Sequence, residues 1–116
     1  MKTFKNMAAQ GDFLIMRVDS LPEELYPCKV KNGKYVVAHS ETGHDHVMVA
    51  DKMEMFKVEL KDDDAVFELY LKVEEDTPVE HMRSYDTHEA LNVPPGTYKI
   101  RRQREYTSEG WRRAAD

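Results

Sequence analysis

The chain has 116 residues, of which 41% are apolar and 34% charged, and its formal net charge is −5. This composition suits one folded domain over residues 1–116 and excludes a disordered chain, and no run reaches the ~18 apolar residues that a membrane span needs. The acidic balance argues against nucleic acid as a direct ligand. An N-terminus without an apolar export segment and a single cysteine, Cys28, predict a cytoplasmic protein that does not bind membranes.

Period-two alternation of apolar and polar residues dominates the first half of the chain and predicts β-structure. Residues 12–18 are predicted to form the first strand, which is apolar on both sides and is therefore expected inside a sheet. Residues 20–25 carry a capping-box pattern with a proline and predict one short helical turn. The dipeptide Asn32-Gly33 predicts a type I′ hairpin between residues 28–31 and 34–39, and a short strand follows at 46–50.

The second half of the chain continues the alternation. A hairpin is predicted from residues 53–60 and 65–74, with Phe56, Val58 and Leu60 on the packed side of its first strand. Further predicted elements are a strand at 77–83, a loop or short strand at 88–93, a tight turn at 94–96, a long strand at 96–106 and one or two helical turns at 108–115. The predicted fold is a mostly-β, small single-domain β-barrel or β-sandwich of antiparallel hairpins with one or two short helical turns. Residues 1–9 are a candidate flexible segment, and 107–116 a short tail or helical turn.

Histidines provide the first candidate site. His44 and His46 are two residues apart, so on a strand their side chains point the same way and can converge on one divalent metal ion such as zinc, manganese or iron. His88 is the first choice for a third ligand, and His81, Glu89 and Asp45 are weaker candidates. The alternative, that these are surface or hydrogen-bonding histidines of a polar loop, carries equal weight.

The last predicted strand provides the second candidate site. Alternation puts Arg102 and Arg104 on the same side as the apolar residues Tyr98 and Ile100. Because a buried unpaired arginine is costly, both must meet an acid, bind an anionic ligand or emerge beyond the core. Gln103 and Tyr106 complete the predicted anion-binding set. Structural ion pairs, to Asp86 or to the acidic turn at 62–64, are the alternative.

Several motifs together resemble an uncharacterised group of small bacterial and phage β proteins. The similar segments are Gln10-Gly11-Asp12, Ala38-His-Ser-Glu-Thr-Gly-His-Asp-His46 and Pro94-Pro-Gly-Thr-Tyr-Lys-Ile-Arg-Arg-Gln-Arg-Glu-Tyr106. Where that group has His-Glu-x-His, this chain has Tyr85-Asp-Thr-His88. If the group binds metal with four histidines, the resemblance implies that this chain keeps three of them. It also implies a phage or prophage origin and a host-directed role.

Three functional hypotheses follow. In the first, a metal held by the three histidines, with Glu89 or Asp45 as base, hydrolyses a phosphate or nucleotide substrate gripped by the arginines. In the second, the protein is a non-catalytic module that sequesters a small anionic ligand or occludes a host protein. In the third, the segment 59–76, with eight acidic and two basic residues, competes with nucleic acid for a basic host protein. Exposed strand edges also allow a homo-oligomer.

Overall fold

The computed structural model describes residues 2–10, 13–39, 45–81, 91–102, 104–107 and 110–113, with side chains for all except 2, 10, 81 and those beyond 103. Strands dominate these residues, and the only helical element described is a 3₁₀ turn at Asp63–Ala65. The strands are β1 (Lys2–Thr3), β2 (Met7–Gln10), β3 (Phe13–Arg17), β4 (Tyr26–Pro27), β5 (Lys34–His39), β6 (Asp45–Val49), β7 (Met53–Lys57), β8 (Glu68–Val73), β9 (Thr77–His81), β10 (Leu91–Val93), β11 (Gly96–Arg102), β12 (Arg104–Thr107) and β13 (Gly110–Arg113).

Two larger sheets build the domain. The five-stranded sheet has the order β1-β10-β9-β6-β5, and the six-stranded sheet has the order β2-β3-β11-β8-β7-β4. Among the described strands, all pairs are antiparallel except β1 with β10. The mostly-β prediction is therefore confirmed. Of its two alternatives the sandwich is correct, because the described strands form separate sheets rather than one closed cylinder.

Both sheets contribute to one apolar core. Phe13, Ile15, Tyr98 and Ile100 of the six-stranded sheet are fully buried, and so is Met48 of the five-stranded sheet. Burying such side chains contributes about 1.5–3 kcal/mol each. β3 lies inside its sheet, as its apolar sequence predicts.

The type I′ turn at Asn32-Gly33 is confirmed, but its first arm pairs with β5 only through the single bridge of Lys31 with Lys34. Both turn residues have positive φ, 52° and 76°, and the peptides of Lys31 and Lys34 exchange hydrogen bonds of 2.8 and 3.0 Å. Before the turn, β4 pairs with β7 of the other sheet. The turn thus connects β4 of the six-stranded sheet to β5 of the five-stranded sheet. The Asn-Gly sequence predicts the turn but not this change of sheet.

The packed face predicted for β7 is wrong. Met53 and Met55 are buried, whereas Val58 and Leu60 are exposed by 37% and 78%. The segment has apolar residues in both phases, and pairing with β8 selects the methionines because Met55 lies opposite the buried Leu71. On β8 itself the predicted core positions Leu69, Leu71 and Val73 are correct.

Both predicted helical turns are also wrong. Residues 20–25 form bends that lead into β4, since one turn of helix is too short to be stable without a packed face. β13 pairs in register with β12, with Trp111 opposite Tyr106, an aromatic pair that suits a strand. The segment 1–9, a candidate for flexibility, contains β1 and most of β2. Among the described residues no helix has the length and apolarity that a membrane span requires.

Candidate functional site

His46 lies in the interior of the five-stranded sheet and faces the core. Its side chain is only 6% exposed, and its ring meets Phe13 of the opposite sheet edge-on, with centroids 5.3 Å apart. Burial rules out a surface position for His46, and a hydrogen-bonding role remains the alternative to metal binding. His44 and His88, its two predicted co-ligands, lie outside the described residues, as do Glu89 and Gln103.

The register of β6 with β9 brings a second histidine position next to His46. The Cα atoms of His46 and His81 are direct partners in this antiparallel pair, and Ala38 is the partner of His46 on the other side. Directly opposite residues have Cβ atoms about 4.5–5.5 Å apart. His81, a weaker candidate from sequence, is thus the histidine position that the described backbone brings to His46.

A second cluster, which we call the His39 cluster, consists of His39, Asp45 and Asp64. The imidazole Nδ1 lies 2.7 Å from Oδ1 of Asp45, and Nε2 lies 2.7 Å from Oδ1 of Asp64. Ionised carboxylates only accept hydrogen bonds, so both ring nitrogens donate and the imidazole in this arrangement is the protonated, positively charged form. The cluster joins the end of the β5–β6 pair where β5 ends and β6 begins to the 3₁₀ turn between β7 and β8 of the other sheet.

Electrostatics agree with this protonation state. Burial alone would lower the pKa of His39, but the hydrogen bonds to Asp64 and Asp45 and the negative charges of both carboxylates together outweigh burial, and the net pKa is raised above 6.5. Burial would raise the pKa of Asp64, but the hydrogen bond from His39 and the positive charges of His39, Lys31 and Arg102 together outweigh burial, and the net pKa is lowered. Each group thus stabilises the charged form of the other.

Arg102 is buried, as its phase on β11 predicts, and its guanidinium binds the main chain. It donates to the carbonyls of Val37 at 3.0 Å and Val36 at 3.3 Å, and to those of Asp63 at 2.6 Å and Val66 at 2.8 Å. The first two carbonyls lie at a bulge in β5, where the register shifts between Val36 and Ala38, and the other two belong to the turn between β7 and β8. This geometry favours the structural alternative over anion binding, with carbonyls in place of the expected acids.

Asp63 of the acidic turn is bonded to a lysine ammonium and to the backbone within the chain. Asp63 accepts hydrogen bonds from the Lys57 ammonium and from the backbone N–H of Lys29, both at 2.7 Å.

Burial, and then the nearby Asp63 carboxylate, raise the pKa of the Cys28 thiol to about 12. Cys28 is therefore a thiol at neutral pH and is not a nucleophile in this state.

The remaining predicted site residues are described only as backbone. Arg104 and Tyr106 lie on β12, which pairs with β13. Among the residues whose side chains are described, no three His, Cys, Asp or Glu side chains come together as a metal-binding group. Asp45, predicted as a base or a weak ligand, is hydrogen-bonded to His39.

Sequence analysis did not single out the His39 cluster. A hairpin reading of residues 34–50 could have paired His39 with Asp45, since the two are direct partners in the β5–β6 register. No sequence signal connects His39 with Asp64, which is 25 residues away and reaches it from the other sheet.

A comparison with protein-family models places these residues in a family. Residues 9–103 match the model of a domain of unknown function, DUF8820. The chain belongs to this family. The family match includes His46, Arg102 and the whole His39 cluster, so all three features lie within the DUF8820 domain. Searches of curated proteins and of solved structures found no match.

Proposed function

We propose that this DUF8820 protein binds a divalent metal ion through histidines around His46. The observation that carries the proposal is the β6–β9 register, in which His81 is the direct partner of the buried His46. His44 and His88 remain the proposed further ligands, and zinc is the first candidate ion because it prefers imidazole nitrogen in four-coordinate sites.

A bound metal with an open coordination position would supply an activated water molecule. The reaction class that we propose is hydrolysis of a phosphate or nucleotide substrate. Glu89 is the preferred base, because Asp45 is hydrogen-bonded to His39. Arg104, with Gln103 and Tyr106, is the proposed contact for the anionic substrate, because the donors of Arg102 bind four carbonyls.

The test begins with elemental analysis of untagged protein that has been incubated with zinc and desalted. We expect stoichiometric metal in the wild type, loss of metal in His46→Ala and His81→Ala, and retention in the matched control His39→Ala. Circular dichroism shows whether each variant is folded, and His81→Ala keeps the test valid if His46→Ala unfolds. Wild-type protein that holds no metal after this treatment, or variants that all hold it equally, would refute the proposal.

A non-catalytic binding or inhibitor role, on an anionic ligand or a host protein, is the second candidate. The observation that favours it is the engagement of Arg102 with the backbone, which removes one of the two arginines predicted to grip a substrate. The phage or prophage origin implied by the sequence resemblance fits this candidate. A metal-loaded protein that turns over no nucleotide or phosphate ester, while wild type but not Arg104→Ala retains an anionic ligand or partner, would support it over hydrolysis.

A further inference from the structure

The four outer strands of the two larger sheets differ in how their edges are protected. β1 and β4 are only two residues long, and β4 ends in Pro27, which lacks an N–H. At the edge of β5, the carbonyls of Val36 and Val37 accept hydrogen bonds from Arg102. Short strands, prolines and covered edges are the devices by which proteins prevent strands from pairing with other chains.

β2 has none of these devices in the described part of the chain. Its sequence is Met7-Ala-Ala-Gln10, without charge or proline, and in the six-stranded sheet it pairs only with β3. Met7 is 60% exposed. An uncharged edge of this kind presents backbone donors and acceptors to any strand that can align with it.

The outer face of the sheet next to this edge is also apolar. Ala8 packs on the core, so Met7 and Ala9 point outward, where they lie beside Met16 and Leu14 of β3. Antiparallel sheets with one packed face usually carry polar residues on the other face. The apolar quartet Met7, Ala9, Leu14 and Met16 is therefore a second sign that this side of the molecule contacts another surface.

We propose that two copies of this protein associate through β2, so that the six-stranded sheets join into one continuous antiparallel sheet. A two-fold axis perpendicular to the sheet at Ala8 puts Ala8 beside its own counterpart. It also puts Met7 of each copy beside Ala9 of the other, so that a large side chain meets a small one. Same-face residues then meet across the axis, as antiparallel pairing requires. The two apolar quartets become neighbours, and each Met7 covers apolar surface of the other copy.

Because β2 pairs with β2 across the two-fold axis, the partner is a second copy of this chain and the register is set by Ala8 at the axis. Met7 lies opposite Ala9 twice in the dimer, so charges at these two positions must either repel or attract across the axis. The four-residue strand makes a small interface, and the expected dimer is therefore concentration-dependent. The dimer proposal does not depend on the proposed metal site, whose His46–His81 pair lies on the other sheet.

Sedimentation of the full chain over a wide concentration range tests the proposal. We expect a reversible monomer–dimer equilibrium for the wild type. The double variant Met7→Lys/Ala9→Lys, with like charges opposite each other, should raise the dissociation constant on the order of tenfold. The matched double variant Met7→Lys/Ala9→Glu, with opposite charges in the same register, should dimerise like the wild type.

Thermal melts serve as the control for folding. Both double variants are expected to be folded because positions 7 and 9 are exposed. A wild type that stays monomeric at its highest soluble concentration would overturn the proposal. So would a dimer that is equally stable in the two double variants, because the interface would then lie elsewhere. Loss of the dimer in both double variants would overturn the proposed register.

Discussion

Replacing Arg102 with methionine removes the contact that joins the two sheets at the β5 bulge. The four main-chain carbonyls that its guanidinium binds come from β5 and from the turn between β7 and β8. Methionine fills much of the same volume but donates no hydrogen bond. The carbonyls of Val37 and Val66 are bound in a buried environment, whereas the bonds to Val36 and Asp63 are partly buried.

The magnitude follows from these two classes of carbonyl. A buried acceptor left without a donor costs about 1–3 kcal/mol, so Val37 and Val66 together account for about 2–6 kcal/mol. The partly buried carbonyls regain water at little cost. Removing a buried charge relieves its desolvation, which offsets some of the loss. We expect a net decrease of about 3 kcal/mol in the free energy of unfolding, or about 10–15 °C in the midpoint of thermal unfolding.

Urea denaturation of wild type, Arg102→Met and the control Arg101→Met measures this effect. Arg101 is half exposed on the outer face and bonds Glu68 at 2.9 and 3.2 Å, so its loss should cost less than about 1 kcal/mol. The urea midpoint should fall sharply only for Arg102→Met, with an unchanged slope. A loss no larger than that of the control would refute a structural role. Phosphate that stabilises wild type but not Arg102→Met would support anion binding instead.

Three further changes test the local chemistry. In the His39 cluster, the raised pKa of His39 stabilises the fold below about pH 6.5, and this stabilisation is lost as pH rises through the raised pKa. The lowered pKa of Asp64 also stabilises the fold, and that contribution is lost in acid. Wild type should therefore exceed His39→Asn in urea midpoint most at about pH 5–6 and least in mild alkali, and a pH-independent difference would contradict this. Because burial raises the pKa of Cys28 to about 12, the thiol should react with a disulfide reagent at mildly alkaline pH only in urea, and fast labelling of native protein would contradict its burial. Gly33→Ala meets no atom within 4 Å but forces alanine to a φ of 76°, so it should lower the free energy of unfolding by about 1 kcal/mol in urea titration, and no loss would contradict the type I′ turn.

The periodicity of the sequence determined the fold class and the strands with one clear apolar phase. The core positions of β8 could be predicted because Leu69, Leu71 and Val73 alternate with polar residues. Arg102 could be placed on the core-facing side of its strand because it follows Tyr98 and Ile100 at a spacing of two. In each case a local repeat specified which side of the strand would be buried.

Only the tertiary structure decided features that join segments distant in sequence. β7 has two apolar phases, and its register with β8 selected Met55 over Val58. The contact of His39 with Asp64, like the carbonyls bound by Arg102, depends on how two sheets meet, which strand periodicity does not encode. The pairing of His46 with His81 likewise arises from strand order, because β6 and β9 are neighbours in the sheet although two strands of the other sheet separate them in the chain.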